Sequence, residues 1–191
     1  MNLKMVGQVL RAESEAAARR GQTNDAIQSA LDLVRYGHGV GRGVMIDWLV
    51  GSACELMGLR QLTNVAVTAA AAELRRVVRT LEELESERES KEAVLKEEGR
   101  WQRGAFNLLR YLRATWEARS LNPDGTGDLY DFDREYEKRV NEARGTLLQM
   151  ATWAFQREKG RSPTHELELA PDYLLRLPGP RPPPTPPTSP P

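Results

Sequence analysis

"RYGHGVGRGVMIDWLVG", Arg35 to Gly51, is the stretch whose reading decides the fold. Gly37, Gly39, Gly41 and Gly43 alternate just ahead of an apolar segment. Such a run is either a loop that cradles phosphate or a turn between helices. A phosphate loop follows a strand and opens a helix, with Lys-Ser/Thr or a ribose-binding acid further on. Here the preceding segment, Asp25–Tyr36, places Ile27, Ala30, Leu31 and Val34 at i, i+3, i+4 and i+7, the signature of an amphipathic helix. Gly-Lys-Ser/Thr is absent, and the alternating glycines match neither nucleotide fingerprint. The stretch therefore predicts the hinge of a helical hairpin. Its glycines end one helix and let the next, Val44–Leu59, pack closely against it.

Outward from that hinge the helical pattern continues. Upstream, Leu3–Arg20 is rich in Ala, Glu and Arg and predicts a first helix, stopped by Gly21. Thr23 or Asn24 is placed to cap the second. Val44–Leu59 is apolar on nearly every side, as a helix at the centre of a bundle is. From Thr68 a further helix carries Leu74, Val77, Val78, Leu81 and Leu84 on one stripe. It runs into "EELESERESKEAVLKEEGR", where eight glutamates face four basic residues. That run reads as a solvated face. Trp101, Ala105, Leu108, Leu109, Leu112 and Trp116 make another stripe. The last long helix begins near Leu129 or Asp131. Its seam is Phe132, Tyr136, Val140, Ala143, Leu147, Met150 and Ala154, with the fours and threes of antiparallel helix packing. No useful period-2 apolar run occurs, which argues against a sheet. The expected fold is all-α, an irregular bundle of about five to six helices.

The totals bound function. The chain has 191 residues, with Lys+Arg and Asp+Glu at 27 each. One domain of that length buries a sizeable core. A net charge of zero lacks the basic excess of nucleic-acid binding, so no nucleic-acid partner is expected; a protein partner, unidentified, is expected instead from the helical surfaces. Cys54 is the sole cysteine, which excludes an internal disulfide, and its apolar neighbours make it a buried small hydrophobe. Val44–Leu59 is too short and too charged, with Asp47 and Glu55, to span a membrane. Without a signal peptide or transmembrane segment, a cytoplasmic location is the default expectation.

Three places invite chemistry. "NPDGTGDLYDFD", Asn122–Asp133, resembles the calcium loop of EF-hands. Asn122, Asp124, Thr126 and Asp133 fall at ligand positions one, three, five and twelve. Gly127 is at the tight bend, and Asp128 offers its carbonyl at seven. Asn at one and Asp at twelve depart from the family's Asp and Glu, which implies weak calcium affinity. The competing reading is a polar connection: Pro123-Asp124-Gly125 makes a turn, and Asp128 or Asp131 caps the last helix. Asp47 and Glu55 share a helix face two turns apart, either as an acidic pair or as partners for arginines such as Arg42 or Arg60. The histidines, His38 and His165, lie in different segments, with no metal-ligand spacing to a second His or Cys. No constellation for nucleophilic catalysis is legible, and the expectation is a protein without enzymatic activity.

"EAAARRGQTNDAIQSALDLVRYG" resembles half a tetratricopeptide repeat, with Gly21 at the turn and Ala26 and Ala30 at the close contact. No second copy follows at the repeat's period, so the reading is an αα-hairpin. At the other end, "LLQMATWAFQREKGRSPTHELELAPDYLLRLPGP" has a helix ending at Lys159-Gly160-Arg161. Pro163, Leu167 and Leu169, Pro171-Asp172-Tyr173-Leu174 and Leu177-Pro178 follow. This resembles the segment after the helix of the major pseudopilin (pseudopilin G) of type II secretion. It resembles more closely the C-terminal part of a group of uncharacterised helical proteins from planctomycete-like bacteria. Ser162 stands where the pattern has tyrosine, and the pseudopilin's cleavage site and membrane helix have no counterpart. The resemblance implies no reaction. The expected role is structural or in protein interaction, with the resemblance pointing to the cell envelope or secretion; the alternative is a weak calcium-binding module using the loop at 122–133. An N-terminal anchor outside this chain is the alternative to the cytoplasmic default.

Physically the same segment reads as a clip. Gly160 ends the helix in a left-handed cap, and the leucines and Tyr173 fold back on it. The expected organisation is a helical domain at 1–177, with the clip at 160–177. A Pro-rich tail at 178–191, of polyproline-II character and disordered, completes it, either a ligand for an aromatic-lined groove or a diverged, frameshifted ending.

Overall fold

A computed structural model describes residues 3–105 and 132–177. Among them are six α-helices and no strand: α1 (Leu3–Arg19), α2 (Thr23–Val40), α3 (Met45–Val65), α4 (Ala71–Ser86), α5 (Lys91–Ala105) and α6 (Phe132–Lys159). Short 3-10 turns at Ala66–Thr68 and Glu166–Leu169 follow α3 and α6. The protein is an irregular all-α bundle.

α1, α2 and α3 pack as one unit. Gly7 of α1 faces Cys54 of α3, and Ser14 faces Gln61, so α1 and α3 run in the same direction. α2 returns between them. Ser14 is fully buried and meets its polar demand inside: its hydroxyl donates to Ala26 O at 2.7 Å and accepts from Gln61 Nε2 at 3.2 Å. Gly21, at φ 73°, makes the α1–α2 turn that only glycine adopts without strain. Neither Thr23 nor Asn24 caps α2. The N-cap is Gln22, without a side-chain bond, and Thr23 is already helical.

α4 and α6 form the second layer, antiparallel, as Arg75–Glu158 at 2.7 Å and Arg144–Glu85 at 3.2 Å show. The expected stripe of α4 is inside: Leu74, Val77 and Val78 are fully buried, Leu81 nearly so. The seam of α6 contributes Leu147, Met150 and Ala154 to the same core, joined by Phe155. Each large aliphatic side chain buried this way stabilises by about 1.5–3 kcal/mol. Phe132 and Tyr136, at the start of α6, belong to a separate small cluster with Trp48 of α3 and Val94 of α5.

The clip closes the core. Gly160, at φ 67°, ends α6 as expected. Leu169, Tyr173 and Leu174 are buried against the bundle, and the Tyr173 ring lies 5.4 Å from that of Phe155. Leu167 corrects the expectation, being 73% exposed. The stripe beginning at Trp101 is also corrected at its first residue, which is 54% exposed; its remainder beyond Ala105 and the tail 178–191 lie outside the described residues.

Candidate functional site beneath the glycine turn

The glycines do more than end a helix. α2 continues past Tyr36 to Val40, so Gly37 and Gly39 are helical, Gly41 is the C-cap and Gly43, at φ 127°, makes the turn. Gly37 and Gly41 lie against Gly51 of α3. A Cβ on Gly37 would stand 2.2 Å from the Glu55 nitrogen, and one on Gly51 would stand 2.3 Å from the Gly41 Cα. Further along, a Cβ on Gly58 would stand 2.7 Å from the Val34 nitrogen. The two helices therefore meet backbone to backbone, a distance that no other residue permits.

That approach sets Glu55 into the interior one turn after Gly51. Glu55 is 6% exposed, and both its oxygens accept from Arg88, at 2.5 and 3.2 Å. Arg88 Nε donates to Glu85 at 2.7 Å, and the other oxygen of Glu85 accepts from Arg144 Nε at 3.2 Å. One ion-pair chain thus joins α3, the end of α4 and α6. Burial alone would lower the Arg88 pKa. The hydrogen bonds and charges of Glu55 and Glu85 outweigh that and hold it above the ordinary arginine value. A carboxylate engaged on both oxygens by a guanidinium is fixed in its geometry. The glutamate-rich run is thus not wholly a solvated face: Glu85 and Arg88 turn inward.

His38 lies beside this chain, 8% exposed, with Nε2 3.3 Å from Arg42 Nη2. Desolvation lowers its pKa; Glu55 opposes this, while Arg88 and Arg42 reinforce it. His38, Trp48, Ser52, Glu55 and Arg88 line a partly open cavity of about 20 Å³, space for one water molecule. Arg139 of α6 donates to the Ser52 carbonyl at 3.1 Å on the same side.

The anion-seeking groups of the glycine turn meet carboxylates of the chain itself. Arg42 pairs with Glu87 at 2.8 Å, the Gly43 amide donates to Glu89 at 3.4 Å, and the Met45 amide donates to Glu98 at 3.0 Å. The positive end of α3 is therefore satisfied by the glutamate-rich run that follows α4. Asp47 and Glu55 do not act as a pair, because Glu55 is committed to Arg88 rather than to Arg42 or Arg60. Cys54 is buried, and desolvation raises its thiol pKa.

Of the calcium candidates, Asp133 sits in the first turn of α6 and pairs with Lys91 at 3.3 Å. Asn122, Asp124, Thr126 and Asp128 lie outside the described residues. Among the described residues no three His, Cys, Asp or Glu side chains are grouped to hold a metal ion.

Sequence reasoning missed Arg88, Glu85 and Arg144. Arg88 is the one arginine among the glutamates of 82–89, a pattern that a solvated arginine on a charged helix shares. A second feature it missed is a groove of about 470 Å³ between α4, α6 and the clip, with Leu147, Leu175 and Leu177 along it and Glu82, Ser86 and Arg144 at its polar edges. The Leu175 amide, held by Glu82 at 2.7 Å, fixes the wall, while the Leu175 side chain is 73% exposed. No described helix is long and apolar enough to cross a membrane. No family model, curated protein or solved structure matches the chain.

Proposed function

We propose that this chain is a non-enzymatic interaction protein that binds another protein in the groove between α4, α6 and the clip. The observation that carries the reading is that groove: its volume is in the range of binding pockets, and a leucine stands exposed on a wall pinned by a hydrogen bond. A large side chain left in water on a fixed backbone leaves only its own rotamers to be ordered when a partner covers it. Glu55 and Arg88 support the same reading, since their charges are spent on joining helices.

The test is photo-crosslinking in cells from position 175, with position 9 as control. Val9 is similarly exposed, at 64%, but lies on α1. A discrete adduct from 175 that is missing from 9 is the expected result. The same adducts from both, or none from 175, overturn the assignment. The envelope or secretion setting rests on the C-terminal resemblance, and cell fractionation tests it separately.

A further inference from the structure

The helices of this bundle are held in two different ways. α2 and α3 interlock through glycine contacts and through Ile27, Leu31, Leu33 and Leu62, each at most 1% exposed. α5 is held differently. Among the described residues it packs chiefly on α3, and of its described side chains Val94 is the buried one. Leu95 and Trp101 of the same helix are 42% and 54% exposed.

Among the described residues the other links of α5 and its lead-in are polar and part-buried or exposed. Glu98 accepts the Met45 amide at 3.0 Å, Lys91 pairs with Asp133 at 3.3 Å, and the Tyr136 hydroxyl donates to Glu89 O at 2.6 Å. Ser90 caps the first turn of α5 through the Ala93 amide at 3.2 Å, so the helix start has a partner of its own. Under Val94 lies an aromatic face. Trp48 meets Phe132 edge-on at 4.8 Å and stacks with Tyr136 at 5.8 Å.

We propose that α5 is a releasable strap, which lifts from α3 and α6 as a unit while the other helices stay folded and uncovers the face of Trp48, Phe132 and Tyr136. The physical reason is the contrast in burial. Regions with few buried apolar contacts open at free energies well below that of global unfolding. Lifting α5 exposes Val94 and the small aromatic cluster of Trp48, Phe132 and Tyr136, far less than the main core, and breaks polar links that water replaces. Lifting α2 exposes the core and cannot occur short of unfolding.

Hydrogen exchange followed by mass spectrometry on the full chain tests this. Amides of α5 are expected to exchange at least about tenfold faster than those of α2 and α3, with weak dependence on denaturant. Val94→Ala is expected to speed α5 by a further factor of about ten and leave α2 and α3 unchanged, since it removes the buried anchor. Glu98→Ala, which removes the acceptor of the Met45 amide, should act in the same direction. Exchange of α5 in step with α2 and α3 overturns the proposal. So does a Val94→Ala effect that is equal in all three helices, or absent from α5.

Discussion

Gly37 and Glu55 touch through their backbones: a Cβ on Gly37 would lie 2.2 Å from the Glu55 amide nitrogen and 2.7 Å from its Cα. A contact so short, between atoms that cannot rotate away, ties the helix crossing to the absence of a side chain. Gly37→Ala and Gly51→Ala are therefore expected to cost about 3 kcal/mol or more each, at the upper end of overpacking effects. Gly145→Ala is the control. Nothing lies within 4 Å of its Cβ position, in the middle of α6, and removing a helical glycine should stabilise by about 0.5–1 kcal/mol. Urea denaturation of the three variants checks both signs.

The Glu55–Arg88 pair predicts an asymmetric double-mutant cycle. Arg88→Met strands the buried Glu55 carboxylate and is expected to destabilise by about 3–5 kcal/mol. Glu55→Met strands the guanidinium in part, because Glu85 still holds Nε, and is expected to cost less. Replacing both should recover much of the loss, since two apolar side chains need no partner. A double variant as unstable as the sum of the singles would show that the pair does not act as a unit.

His38 predicts a pH dependence with a definite sign. Its folded pKa lies below the ordinary 6.5, chiefly because burial disfavours the cation. The unfolded chain then binds the proton more readily, so the contribution is complete above pH 6.5 and is lost as pH falls from there toward the folded value. Protein NMR should show one of the two histidines titrating low. His38→Gln should flatten the difference in stability between pH 7 and pH 5 relative to the unsubstituted chain. An equal slope in both proteins would remove His38 from the account.

Tyr173 anchors the clip at two levels. Its hydroxyl donates to Glu158 at 2.7 Å, and its ring packs on Phe155 and lies 5.8 Å from the Arg75 guanidinium. Tyr173→Phe keeps the ring and should cost about 1 kcal/mol. Tyr173→Ala empties the site and should cost about 3–5 kcal/mol. Desolvation, with the Glu158 bond and charge, pushes the phenol up to about 12 from 10.0. The stability it contributes is therefore whole below pH 10 and is lost as pH rises through the folded value. Burial also raises Tyr36 and Tyr136, so ultraviolet titration at alkaline pH should find Tyr173 among the late tyrosines, and Tyr173→Phe should remove one of them.

What could be read from the chain followed from local rules. The 3.6-residue spacing of Ile27, Ala30, Leu31 and Val34 placed the buried face of α2. The stripe from Leu74 to Leu81 and the seam from Leu147 to Ala154 did the same for α4 and α6, because an amphipathic helix has one way to bury its apolar side. Gly21 and Gly160 were legible as stops, since a positive φ selects glycine. Leu167 was misread, because a short irregular segment has no period to say which leucine faces in.

The ion-pair chain was not legible. Glu55 and Arg88 are 33 residues apart, and nothing local distinguishes Arg88 from a solvated arginine on a charged helix. Its burial exists because Gly37, Gly41 and Gly51 let α2 and α3 touch, which draws Glu55 inward to where the α4–α5 connection passes. Spacing and glycine chemistry by themselves determined that the protein is all-α and where α1 and α6 end; α2 and α3 run on past the expected Tyr36 and Leu59 to Val40 and Val65, and α4 stops at Ser86. Which glycines touch, which carboxylate is buried and which helix is lightly held were decided only in three dimensions. Those properties depend on the distance between helices, and periodicity along one helix carries no information about that distance.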